Sequence, residues 1–249
     1  MTMLQPHIQL GEDLGVKYAI LPGDPARVGR VAQQLENPRE LAFNREYRSI
    51  KGTYKGIPVL AMSTGMGGPS VAIAVEELKN IGVTHLIRIG SCGALQEGIG
   101  LGDLILVSAA VRDDGASRTY VPEQYPAAAD VELLCACIRS ARERELRCHV
   151  GLARSHDSFY IDNDEEVSTA WSKRGVLGAD METSALFTVA ALRGLKAASI
   201  LNNVVEWGES TSEGVGSYAG GADRTAQGER DEIAVALEAF VRIEKGESI

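Results

Sequence analysis

An α/β fold, with helices on both faces of a mixed or parallel sheet, follows from three features of this 249-residue sequence. Short runs rich in β-branched and aliphatic residues recur along the chain, helical patterns fall between some of them, and several runs end in glycine-rich turns. The runs at 18–21, 59–63, 85–89, 103–109, 149–153 and 198–203 have the near-continuous apolar character of buried strands. The segments 70–80, 130–145, 183–193 and 230–244 place apolar residues at spacings of three and four, which predicts helices. The turns PGDP (22–25), TGMGGP (64–69) and GSCG (90–93) follow strands. In open α/β sheets, loops at the carboxyl ends of strands bring backbone N–H groups together, so the active site is expected on that edge. The segment 208–228 is rich in Gly, Ser, Thr and Glu and reads as a long surface loop, with a lid role as a hypothesis.

Hydrophobic residues make up 45% of the chain and charged residues 24%, the balance of a protein that buries a core. Residues 1–249 are expected to form one domain, since α/β folds often reach this size around a single core. A formal net charge of −9 opposes nucleic acid polymers and acidic membranes, so neither is expected as a partner. The first ten residues lack the basic and apolar regions of a secretory signal, and no apolar run reaches the ~18 residues of a membrane span. Cys92, Cys135, Cys137 and Cys148 include one C-x-C but no paired C-x-x-C. Neither a zinc site nor a disulfide framework is expected, and reduced thiols fit a cytoplasmic protein.

The usual phosphate fingerprints are missing, but arginines lie beside tight turns or strand ends. Arg27 follows PGDP, Arg45 lies in FNREY (43–47), and Arg88 sits inside the apolar strand HLIRIG (85–90). A guanidinium in such a strand must be paired or reach a cavity, because an unpaired buried charge costs several kcal/mol. A structural salt bridge and an anion site both satisfy that demand. Arg27 and Arg45, taken singly, read first as solvated surface charges.

Six segments, PGDPARV (22–28), NREY (44–47), STGMGGPSVAIAVEEL (63–78), RIGSCGAL (88–95), AAVRDDGAS (109–117) and ADMETSAL (179–186), together resemble the hexameric nucleoside phosphorylases, meaning uridine phosphorylase and the bacterial-type purine enzyme. They occur in family order over about 6–203. The resemblance implies a mixed, twisted central sheet flanked by helices and a hexamer built as a trimer of dimers. It also implies phosphate-dependent cleavage of a nucleoside to free base and ribose 1-phosphate, with inorganic phosphate as co-substrate and no cofactor.

The same resemblance assigns Gly23, Arg27, Arg45, Arg88 and Ser91 to phosphate, and a dianion held by guanidiniums and oriented dipoles is both neutralised and aimed. It assigns Met181 and Glu182 to ribose, with Asp180 beside them where the family usually carries a glutamate. The helix dipole alone would also favour both acidic residues at the start of the helix. His7 resembles the histidine that family members lend across a dimer interface to the neighbouring ribose. Glu46, Met66 and Ser70 match positions where some uridine phosphorylases hold a monovalent cation between subunits; no other metal is expected.

In the base pocket, Phe159 matches an aromatic residue that packs on the base, although ordinary core packing explains a Phe equally. Asn163 and Glu165 stand where uridine phosphorylases carry a glutamine and an arginine. The aspartate with which purine enzymes protonate N7 is missing after the strand at 198–203; Val204 or Val205 fills its place, with Glu206 and Trp207 just beyond. Glu206 is a substitute acid or a solvated loop charge. Asn163 offers a donor and an acceptor to a pyrimidine edge, so uridine-type substrates are favoured. A purine nucleoside phosphorylase, a phosphate-independent nucleosidase and a non-catalytic nucleoside-binding protein are the alternatives. Arg88→Ala is expected to lower the rate by about 10²–10³ without unfolding the chain.

Overall fold

The computed structural model describes residues 3–209 and 223–247. Ten strands form one mixed sheet, β1 (Tyr18–Pro22), β2 (Glu36–Asn44), β3 (Tyr47–Tyr54), β4 (Ile57–Met62), β5 (His85–Ala94), β6 (Leu104–Asp113), β7 (Ala127–Ala128), β8 (Cys148–His156), β9 (Gly178–Asp180) and β10 (Lys196–Val205). The helices are α1 (Pro25–Ala32), α2 (Gly68–Asn80), α3 (Gly115–Tyr120), α4 (Val131–Glu143), α5 (Asp164–Ser172), α6 (Thr183–Leu192) and α7 (Asp223–Lys245).

From β5 the sheet runs outward through β1, β4 and β3 to the edge strand β2. On the other side β5 pairs in parallel with β10, β10 with β6, β6 with β8, β8 with β9, and β9 returns to β5, so these strands close on themselves. Alternation along β1 divides the core. Ala19 and Leu21 join a cluster with α2, α6 and the N-terminal Ile8 and Leu10, while Tyr18 and Ile20 face Val28 of α1, Leu133 of α4 and Phe240 of α7. Each layer covers one face, which is why the central strands read as continuous apolar runs.

The expected strands and helices are all present, with shifted ends. The GSCG segment is a correction: it is not a turn but the second half of β5, because β10 runs beside it and pairs Leu201 with Gly90, Asn202 with Ser91 and Asn203 with Cys92. The PGDP segment opens α1, with Asp24 as N-cap accepting from the Ala26 N–H and Pro25 in the first turn, where its missing N–H costs nothing. The predicted loop at 208–228 is cut short, since α7 begins at Asp223; residues 210–222 of that segment lie outside the described residues, as does any lid role. Among the described residues, no helix is long and apolar enough to cross a membrane.

Candidate active site

The carboxyl ends of β1, β4 and β5 meet at one edge. The loops after β1 and β4 are sewn together there, the Thr64 N–H donating to the Pro22 carbonyl and the Gly65 N–H to the Gly23 carbonyl. Gly23 sits so close to this second loop that a Cβ would lie 3.1 Å from the Gly65 oxygen. Small residues at both positions therefore let two backbone turns approach one another.

Arg27 projects from the first turn of α1 and is 3% exposed. Its Nε donates to Glu229 at 2.9 Å, its Nη1 to the Ile89 carbonyl at 3.3 Å, and its Nη2 to Ser91 Oγ at 3.1 Å. Arg88 is 4% exposed; its Nε donates to Asp180 at 3.0 Å and its Nη2 to Glu182 at 2.6 Å. The third nitrogen, Nη1, is buried without a hydrogen-bond partner among the described residues. Gly90, two residues along the same face of β5, makes room for this guanidinium, which any Cβ there would strike. Burial works against the Arg88 charge, but Glu182 and Asp180 hold the guanidinium more basic than usual.

Glu182 sits at the N-cap of α6. Besides Arg88 it accepts at 2.6 Å from the Gly67 N–H, which a left-handed φ of 94° aims inward, a conformation glycine adopts without strain. Burial raises the Glu182 carboxyl above the ordinary range, against the pull of Arg88. Met181 precedes it, half-buried, its N–H 3.2 Å from a Glu182 oxygen.

Several expected site residues lie elsewhere or are already occupied. Arg45 does not join the buried cluster: it is exposed in the β2–β3 turn, at a left-handed φ of 54°. Asp180, expected beside the ribose, is enclosed; Ser155, Thr183 and Arg88 all donate to its two oxygens. Its shorter side chain keeps the carboxylate at the start of α6, where it binds the Thr183 N–H and steadies Arg88. Glu206, the substitute acid, is half-buried and accepts from the Leu101 N–H at 3.3 Å, so its carboxylate is engaged by the β5–β6 connection. Trp207 follows it in a turn.

Phe159 is half-buried and packs edge-on against exposed Tyr160, ring centroids 4.8 Å apart. Asn163 is exposed at the N-cap of α5 and makes no capping bond. Ser70 Oγ donates to Glu46 at 2.6 Å, whereas Met66 is 84% exposed. His7 is held by Glu77 of α2, which accepts from His7 Nδ1 at 2.6 Å and from the N–H groups of His7 and Ile8. With Nδ1 facing the carboxylate, Nε2 is the ring nitrogen left for another partner.

The residues not foreseen are carboxylates on helix faces: Glu77 on α2, and Glu229 and Glu232 on α7, all buried. Their signal was an acid within an apolar stripe of period 3.6, as at Glu229, Glu232, Ile233 and Ala236.

The family model described as Phosphorylase superfamily matches residues 17–214. A uridine phosphorylase from Thermococcus kodakarensis is 41% identical, the match covering 79% of this chain and 76% of that protein. A guanosine phosphorylase from Halorubrum lacusprofundi is 38% identical over 79% of this chain and 81% of its own length. The crystal structure of uridine phosphorylase from Vibrio fischeri ES114 complexed with 6-hydroxy-1-naphthoic acid superposes with a TM-score of 0.89 at 46% identity, covering 96% of this chain and 97% of that one. With its strand order, its paired buried arginines and these matches, the chain belongs to the phosphorylase superfamily.

Proposed function

We propose that this protein is a nucleoside phosphorylase that favours uridine, cleaving it with inorganic phosphate to uracil and ribose 1-phosphate. The observation that carries the reading is Arg88 Nη1, a buried guanidinium nitrogen without a hydrogen-bond partner among the described residues, in a guanidinium that feels the charge of Arg27, which in turn reaches Ser91. An anion there would satisfy a donor whose isolation is otherwise costly. Phosphate held by Arg27 and Arg88 forms its new bond to C1′ as the C1′–N bond breaks, and the anion stabilises the positive charge that develops on the sugar. Glu182, at the rim of the same cluster, accepts from the ribose hydroxyls, and Met181 packs on the sugar. The base departs with the bonding electron pair, its charge taken up by hydrogen bonds to its carbonyl oxygens from the Phe159–Asn163 segment.

The engagement of Glu206 favours the pyrimidine over the purine reading, because a leaving purine needs an acid at N7 and that carboxylate faces the Leu101 N–H. His7, held by Glu77 through Nδ1, presents Nε2 to the 5′ hydroxyl of a neighbouring subunit's ribose in a hexameric, cytoplasmic salvage enzyme that needs no cofactor beyond its co-substrate. The test is base release from uridine, thymidine, inosine, adenosine and guanosine, with and without phosphate. Phosphate-dependent release of uracil is expected. Release without phosphate would install the nucleosidase in its place, release from purines alone would move the substrate, and no release at all would leave a binding protein.

A further inference from the structure

Strand register sets three residues in one row at the edge where the arginines meet. β9 pairs antiparallel with β5, Ala179 opposite Gly93, and parallel with β8, Ala179 opposite Arg154. One step further along the same face, two residues on in β8 and past the end of β9, and two residues back in β5, come His156, Met181 and Ser91. Neighbouring strands lie about 4.8 Å apart, which puts Ser91 and His156 roughly 10 Å from one another, with Met181 continuing β9 between them. This is the order in which phosphorolysis would use them: Ser91, bound to Arg27, at the phosphate, Met181 at the sugar and His156 at the base. The row is also open. Ser91, Met181 and His156 are partly exposed, whereas Cys92, Asp180 and Ser155, which alternate with them, are buried.

We propose that His156 reads the base, its Nε2 accepting a hydrogen bond from the N3–H of a uracil ring. The inference rests on the uridine reading of the site and deepens it. Nδ1 of His156 lies 2.9 Å from the Ser158 carbonyl. A carbonyl only accepts, so Nδ1 carries a proton and the lone pair of the neutral ring is on Nε2. Nothing beside the ring is placed to hold a second proton: among the described residues the histidine–carboxylate pairs are those of His7 and His149. The charged groups facing His156 are Arg154 on its own strand, Asp113 opposite it on β6 and already bound by Arg154, Asp180 at the end of β9, and Asp164 in the first turn of α5. Burial, then the Arg154 charge, hold the imidazole below its ordinary range, against the weaker pull of the Ser158 carbonyl, Asp180 and Asp164. The other residues expected at the base offer no such fixed acceptor, since Asn163 is exposed and Glu206 is engaged by the Leu101 N–H. Uracil carries a hydrogen at N3 where cytosine carries a lone pair, so an acceptor here selects between the two pyrimidines.

The test compares kcat/KM, with phosphate present, for uridine and for 3-methyluridine, in which a methyl group replaces the N3 hydrogen. The wild type is expected to favour uridine. His156→Ala is expected to lose about tenfold on uridine, the worth of one neutral hydrogen bond, and nothing on 3-methyluridine, so that the ratio narrows. His156→Gln, whose side-chain oxygen can accept in place of Nε2, is expected to restore part of that ratio. An unchanged ratio in His156→Ala, whether activity is kept or lost on both nucleosides alike, overturns the assignment while leaving uridine phosphorolysis in place. No uracil release by the wild type overturns the uridine reading itself. If His156→Ala does not fold, nitrogen NMR of the wild-type imidazoles decides: the Nε2 resonance of His156 is expected to move on addition of uracil and not of 3-methyluracil, and no movement with uracil overturns the role.

Discussion

Arg88 shows how much one charge in an apolar strand can disclose. In the sequence it stood out because HLIRIG has no other polar residue between His85 and Gly90, and of the two readings it allowed the ion pair is realised: Nε and Nη2 are paired with carboxylates, while Nη1 is buried without a hydrogen-bond partner among the described residues. What the sequence could not show is how tightly the partners depend on it. Asp180 and Glu182 are both buried against this guanidinium, so removing it leaves two uncompensated carboxylates. The expectation that Arg88→Ala spares the fold is therefore corrected. We expect the variant to lose about 3–5 kcal/mol in urea unfolding at neutral pH, together with a fall of about 10²–10³ in phosphorolysis. Arg88→Lys separates the two effects: it keeps the charge between the carboxylates but loses the planar fork, so more of the stability than of the activity should survive. Equal unfolding midpoints for wild type and Arg88→Ala would mean that the carboxylates find protons or water at no cost, and the ion-pair account would fail. Glu232 was legible only as an acid within the apolar stripe of its helix, and such an acid reads as solvated until the packing partner is known.

At the level of elements, periodicity identified what it can identify. The central strands and the long helices appeared where their apolar spacing placed them, and the errors fell where a neighbour decided the outcome. GSCG reads as a turn from composition, yet β10 on one side and β9 on the other hold it extended. β2 was invisible because an edge strand, ENPRELAFN, is mostly exposed and carries no apolar alternation. The N-terminal segment is a different case, a stretch with little regular structure docked to α2 chiefly through the one buried carboxylate of Glu77. Glu77→Ala strips the partners from the His7 and Ile8 N–H groups and from the His7 ring. Hydrogen bonds to a charged group contribute about 1.5–3 kcal/mol each, so this segment should open locally. The measurement is amide hydrogen exchange: the Ile8 amide is expected to lose about tenfold or more in protection while β1 and β5 keep theirs. Unchanged protection at Ile8 would place the anchor elsewhere, in the packing of Ile8 and Leu10 against the core.

At the scale of the whole molecule, the closure of β5, β10, β6, β8 and β9 into a ring was beyond sequence reading, because each pairing joins segments far apart in the chain and no local pattern encodes which strands meet. The same holds for surfaces that await a second copy. Met3, Leu4, Phe43 and Met66 are all exposed, at 83%, 53%, 62% and 84%. They come from three segments that are tied together: the Asn44 side chain donates to the His7 carbonyl, and Glu46 lies against Gly65. Exposed apolar side chains on linked segments of a protein with a net charge of −9 are not explained by solubility, and a contact between copies would remove them from water. A stable contact needs on the order of 1,000 Å² of buried area, more than the side chains of Phe43 and Met66 provide, so the neighbouring backbone of the β2–β3 turn, with exposed Arg45, would be enclosed as well. Light scattering of the wild-type protein is therefore expected to give a multiple of the chain mass, and Phe43→Glu combined with Met66→Glu to lower that mass at least twofold, since two like charges would face their copies across a symmetric contact. Neither residue is buried in the core, so the variant should retain its fold by circular dichroism. If its mass equals that of the wild type, the face is free in solution, and His7 and Arg45 must act within their own chain or not at all.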